Sequence, residues 1–146
     1  MLALFQVFVA GGSGRVAAAV IQELVNRGQK VYAGSRHKDA IVKLPGVKRY
    51  IQLSSIFAAD PDKWQGKAEF ASLTDYYIAK YFADEWLINN SKLDYTILAP
   101  ATLEEKAGTG KVNFKPEEFA ANPIPDVAAV LAEILDKENT YGKVIN

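Results

Sequence analysis

Residues 7–20 read VFVAGGSGRVAAAV. They decide the fold, because an apolar run meets a glycine cluster and passes directly into a segment of helical period. From Leu2 to Ala10 the chain is almost continuously apolar, with aromatic and β-branched residues, which predicts a strand covered on both faces, as in a parallel sheet. Gly11, Gly12 and Gly14 end that run. From Arg15 to Asn26 apolar residues recur at helical spacing through Val16, Val20 and Leu24, and Gly28 supplies a C-terminal stop. KVYAGSR (residues 30–36) is the next strand, so Leu2 to Gly34 forms a β-α-β unit. That connection requires parallel strands.

Further along, RYIQLSS (49–55) predicts a strand and AADPDKWQGKAEF (58–70) a polar loop, followed by a long helix over about Ser72 to Asn90. LDYTILAP (93–100) predicts a strand, ATLEEKAGTGK (101–111) a loop of the kind that closes over ligands, and KVNF (111–114) a short strand. Asp126 is a candidate N-cap for a helix over VAAVLAEILDK (127–137), and GKVIN (142–146) a terminal strand. The pattern predicts one α/β domain over residues 1–146, a Rossmann-like doubly wound parallel sheet.

With 146 residues, 49% of them hydrophobic and 23% charged, the chain has the composition of a folded globular protein. Seventeen basic residues balance seventeen acidic ones, which gives no electrostatic reason to expect nucleic acid or an anionic membrane as partner. There is no cysteine, so disulfides, thiolate metal sites and cysteine nucleophiles are excluded, and no metal site is predicted. MLALFQVFVA (1–10) lacks the basic start and small-residue cleavage site of a signal sequence and reads as a strand. No apolar run approaches the ~20 residues that cross a bilayer, and a cytoplasmic location is the expectation.

Three features carry chemistry. Glycines between a strand and a helix let the backbone approach a pyrophosphate, whose charge is met by free amides at the helix start. This makes Gly11, Gly12, Ser13, Gly14, Arg15 and Val16 candidate dinucleotide contacts, although the spacing Gly11-x-x-Gly14-x-x-Ala17 departs from G-x-G-x-x-G and a purely structural turn stays open. At the end of the second strand stand Ser35 and Arg36, with no acid before Asp39. An arginine there pairs with a 2′-phosphate where an acid would take a 2′-hydroxyl, so NADP is favoured, with NAD the alternative. His37, the one histidine, reads as a surface or phosphate-side residue. Tyr76 precedes Lys80 by four residues on the long helix, and an ammonium on the same face lowers a tyrosine toward useful acid/base range. Y-x-x-x-K is common by itself, and becomes informative beside a strand ending in Ser54 and Ser55. Tyr77, Tyr81 and Trp86 read as mostly core.

VAGGSGRV (9–16), AGSR (33–36), GVKRYIQLSS (46–55), YYIAKYFADEWL (76–87), LDYTILAPATL (93–103), GTGKV (108–112) and IPDVAAVLAEIL (124–135) together resemble the atypical short-chain dehydrogenase/reductases of the NAD(P)-binding, NmrA-like group, in that family's order. The resemblance implies a Ser-Tyr-Lys set. Tyr76 would exchange a proton at a carbonyl, Ser55 orient the substrate oxygen, and Lys80 bind the nicotinamide ribose and depress the tyrosine pKa; Ser54 and Pro100 would lie beside the cofactor. It implies an NADP-dependent oxidoreductase acting on a small carbonyl or related electrophile; the alternative is a non-catalytic NAD(P)-sensing regulator. A homo-oligomer is compatible with either.

One departure stands out. Family members carry further β-α units between the second strand and the serine strand, and here the two landmarks meet within KLPGVKRY (43–50), as if by an internal deletion near residues 44–48. Thirteen residues, His37 to Arg49, reach about 43 Å when extended at ~3.3 Å each, so the link can span a family-like separation. It cannot fill the vacated strand position. The expectation for a complete chain is therefore that the serine strand moves beside the first strand, in a sheet of fewer strands, or that a partner chain supplies the edge.

Overall fold

A computed structural model describes residues 6–10, 14–34, 48–114 and 120–146. The candidate residues Gly11, Gly12, Ser13, Ser35 and Arg36 lie outside the described residues, as do His37 and the junction at 44–47. In chain order the elements are β1 (Gln6–Ala10), α1 (Arg15–Asn26), β2 (Lys30–Gly34), β3 (Arg49–Leu53), α2 (Thr74–Asn90), β4 (Asp94–Leu98), β5 (Leu103–Glu104), β6 (Asn122–Pro123), α3 (Ile124–Glu133) and β7 (Lys143–Ile145). They fall into two compact units. One contains β1, α1, β2, β5, β6 and α3, and the other β3, α2, β4 and β7.

In the first unit β1 and β2 pair in parallel from Gln6 opposite Lys30 to Ala10 opposite Gly34, as the β-α-β reading requires. The helical spacing of Val16, Ala19, Val20 and Leu24 builds an apolar stripe on α1. It packs with Ala128 and Ala132 of α3, and with Val7, Val9 and Val31 from the strands. Small alanines on α3 allow close approach of the two helices. Gly28, at φ +77°, takes the left-handed conformation that ends α1.

The second unit has a parallel sheet ordered β3-β4-β7. Central β4 buries Thr96, Ile97 and Leu98 in succession, as expected of a strand covered on both faces. The Thr96 hydroxyl donates to the Thr140 carbonyl at 2.7 Å, so this buried polar group is satisfied. The segment read as a polar loop does more. Its 3₁₀ turns Pro61–Lys63 and Ala68–Leu73 bring Trp64 and Phe70 into a buried aromatic cluster with Ala58 and Tyr77. The Trp64 indole donates to the Ala58 carbonyl, whereas Trp86 on α2 is 57% exposed.

Besides the loop at 58–70 and the exposed Trp86, further expectations are corrected. Residues 111–114 form no strand; the short parallel pair is instead β5 with β6. The last helix begins at Ile124, with Pro123 as its cap and Pro125 in its first turn, because a proline's fixed φ and missing N–H suit that position. Asp126 consequently lies inside the first turn and does not cap. β3 is the edge strand of its sheet among the described residues and pairs with β4. No helix among the described residues is long and apolar enough to cross a membrane.

Candidate functional site

The serine strand and the tyrosine-lysine helix lie in the same unit, and their meeting is made of polar contacts. Tyr77, Lys80 and Asp84 recur at i, i+3 and i+7, which places them on one side of α2. They meet the end of β3 in reverse order. Asp84 accepts from Gln52 Nε2 at 2.7 Å and from Ser54 Oγ at 2.6 Å, two side chains that share a strand face because they are two residues apart. Lys80 Nζ donates to the carbonyl of the intervening Leu53 at 3.1 Å. The Tyr77 hydroxyl donates to the Ile56 carbonyl at 3.1 Å and receives a long contact from Ser55 Oγ at 3.4 Å.

The backbone beyond β3 is tied as firmly. Ser54 N–H donates to Leu98 and Ile56 N–H to Pro100, so the candidate Pro100 is fixed beside the residues that follow the serines. A turn closed by Ala58 N–H to Ser55 O then reverses the chain. Phe57 sits in it at φ 62°, a left-handed conformation that costs a bulky residue energy and concentrates at functional sites.

Tyr76 is placed differently from Tyr77. It is 47% exposed, and the Lys80 ammonium lies 5.5 Å from its ring centroid, within the range of cation–π attraction. Tyr77 is buried against Trp64 and Phe70, with its hydroxyl toward Ser55. The structure thus joins Tyr76 to Lys80, and Ser55 to Tyr77. Ser54 is buried with its hydroxyl on Asp84. Burial pushes the Asp84 carboxyl above the usual carboxylate range, opposed by the Ser54 and Gln52 hydrogen bonds and by the Lys80 charge.

The sequence reading missed two groups, Asp84 and the Tyr77 hydroxyl. The sequence carries no local sign of either, because Asp84 stands beside the second acid Glu85 and bulky residues occur all round this helix.

In the other unit, Gly14 stands at the N-cap of α1 with extended backbone (φ −76°, ψ 154°) and no side-chain cap. The first-turn amides therefore lack the side-chain acceptor that usually satisfies one of them, and a glycine leaves room for a ligand to approach. This fits an anionic pyrophosphate. Val16 packs into the apolar core, and the exposed Arg15 pairs with Glu105. The loop carrying Glu105 is itself fixed: Asp126 accepts from the Thr109 and Gly110 amides, each at 2.9 Å, and from Thr109 Oγ1 at 2.7 Å. Those bonds hold its carboxyl below the usual range, the Thr109 amide foremost.

A glycine-capped helix start after a strand, and parallel strands alternating with helices, are features of the Rossmann-like fold class. The family model of NAD(P)H-binding proteins matches residues 40–138, and the chain belongs to that family. A protein described as an uncharacterized sugar epimerase of Bacillus subtilis, YhfK, is 33% identical over 104 residues, which are 70% of this chain and 46% of that one. The chain spans less than half the length of the curated relatives it matches. The crystal structure of the oxidoreductase YlbE from Lactococcus lactis superposes with a TM-score of 0.85 at 29% identity, over 97% of this chain and 89% of that one. A human epimerase family protein, SDR39U1, crystallised with NADPH, shares the fold at a TM-score of 0.63 and 15% identity, over 96% of this chain and 72% of its own. The fold is therefore that of NAD(P)-binding oxidoreductases and epimerase-like proteins.

Proposed function

We propose that the protein is an NADP-dependent oxidoreductase of the short-chain dehydrogenase/reductase type, NmrA-like within it, acting on a small carbonyl or related electrophile. The observation that carries this reading is the exposed Tyr76 beside the Lys80 ammonium, with Lys80 anchored on the carbonyl next to Ser54 and Ser55. A phenol that reaches solvent next to a held cation can exchange a proton with a bound oxygen. Ser55 follows as the group that orients that oxygen, and Lys80 also meets the nicotinamide ribose. The dinucleotide supplies the hydride. Its pyrophosphate falls to Gly11, Gly12, Ser13, Gly14, Arg15 and Val16, its 2′-phosphate to Ser35 and Arg36, and its nicotinamide end to Ser54 and Pro100. Support for NADPH over NADH comes from Arg36, while the family supports binding of either nucleotide.

One observation favours a second reading, a protein that senses NAD(P) without turnover: the Ser55 hydroxyl lies against Tyr77 and not Tyr76. NADPH oxidation over a panel of carbonyls and quinones, with Tyr76→Phe beside the wild type, separates the two. The enzyme reading expects a loss of at least about 100-fold in Tyr76→Phe. Tight NADPH binding with no turnover dependent on Tyr76 sinks it. Arg36→Ala should weaken NADPH far more than NADH, and equal losses would refute the 2′-phosphate assignment.

A further inference from the structure

Asp84 is fully buried, and no step of the proposed chemistry uses it. Burying a carboxyl is costly unless its oxygens are well satisfied, and an apolar side chain could fill the space at lower cost. Here each oxygen takes one short hydrogen bond, from Gln52 and from Ser54. Those residues flank Leu53, the residue whose carbonyl receives Lys80 one helical turn away. Side chains alternate along a strand, so a slip of one residue would turn both donors away and leave the carboxyl without partners. Two further ties lie beyond the strand end: the Ser55–Tyr77 contact, long at 3.4 Å, and the bond from the Tyr77 hydroxyl to the Ile56 carbonyl at 3.1 Å, which fixes the turn and not the strand face. The Asp84 bonds thus accompany the one register in which the Leu53 carbonyl meets Lys80 and Ser55 comes next.

We propose that Asp84 is a positioning residue for Ser55, Tyr76 and Lys80, setting the register between the end of β3 and α2; the turnover part of this inference rests on the oxidoreductase reading above. Gln52 is its working partner, and the requirement is for two acceptors or their amide equivalent, not for a charge. An asparagine at 84 keeps an acceptor for Ser54 and donates to Gln52 once that amide is turned over.

The test compares the full chain with Asp84→Ala and Asp84→Asn, reading NADPH-oxidation kinetics and amide exchange over residues 49–57. In Asp84→Ala, kcat is expected to fall about 100-fold through misplacement of the reacting groups, while KM for NADPH changes by less than about fivefold. Exchange at Leu53 to Ile56 should quicken about tenfold or more. Asp84→Asn should restore both readouts to within about fivefold of wild type. A folded Asp84→Ala with unchanged kcat and exchange overturns the proposal, and so does an Asp84→Asn as damaged as the alanine variant. Should Asp84→Ala fail to fold, Gln52→Met removes one of the two ties. It should quicken exchange at Leu53 to Ile56 several-fold, and no change there overturns the proposal. A wild type without turnover defeats the oxidoreductase reading alone, because exchange still decides whether Asp84 fixes the strand end.

Discussion

Asp84 of α2, set against the end of β3, and Asp126 of α3, beside the loop at residues 108–110, are both buried, yet their carboxyls are displaced in opposite directions. Asp84 is met by two neutral side-chain donors in a dry site, and the cost of removing it from water outweighs them. Asp126 is met by two backbone amides and a hydroxyl from Thr109 and Gly110, and these outweigh its burial. The difference shows that burial alone does not fix the sign of a shift. What decides is how many donors converge on the charged form, and whether water can still reach them.

The comparison breaks most readily under truncation. Asp84→Ala leaves the buried Ser54 hydroxyl and the half-buried Gln52 amide without their acceptor, which should cost about 2–4 kcal/mol in urea unfolding. Asp126→Ala should cost less, because the exposed Thr109 and Gly110 amides can turn to water. A larger loss for Asp126→Ala would reverse the contrast. Smaller, but more diagnostic, is the dependence on pH. A carboxyl raised in the folded state contributes stability below the unfolded value of about 3.9 and loses it as pH rises through the folded value. The wild type should therefore lose stability relative to Asp84→Asn as pH climbs above about 4. For the lowered Asp126 the contribution is present above about 3.9 and is lost as pH falls through the folded value, so Asp126→Asn should flatten the acid limb below about pH 4. Melting temperatures across both ranges check this, and slopes of the same sign would erase the distinction. The smallest effect expected is that of Gly108→Ala. Its added carbon would come 2.9 Å from Asp126 Oδ1 and 3.2 Å from Pro125 Cβ, so the loop must give way at a cost of about 1 kcal/mol, visible as faster proteolysis within residues 105–112. Unchanged proteolysis would show that Asp126 does not hold the loop closely.

The same two aspartates mark what a sequence makes legible. The β1-α1-β2 unit was readable because an unbroken apolar run, a glycine cluster and a helical stripe are all local signals. Asp126 was singled out, but for the wrong task. Pro125 in IPDV is the available cue that the helix starts earlier, whereas the partners Thr109 and Gly110 lie seventeen and sixteen residues away along the chain. Tyr76 and Lys80 were legible from their spacing. Asp84 and the Tyr77 hydroxyl were not, because bulky residues are spread around α2 and its sequence does not declare which side meets the sheet. Phe82 and Trp86, apolar but exposed, illustrate the difficulty. Only the register of strand on helix brings residue 84 to residues 52 and 54. The aromatic cluster of Trp64 and Phe70 was hidden for a related reason, since a polar, proline-containing loop gives no periodic sign of burial.

The chain's two tryptophans have a consequence for how its unfolding is observed. Trp64 and Trp86 both belong to the unit that contains β3 and α2, one buried and one exposed. Indole fluorescence is therefore a one-sided reporter: a shift to longer wavelength on heating records the loss of Trp64's dry surroundings, and the β1-α1-β2 unit melts unseen. Circular dichroism in the far ultraviolet reads the helices of both. Coincident transitions by the two probes would show that the units unfold as one cooperative block, whereas separated transitions would give each unit a stability of its own.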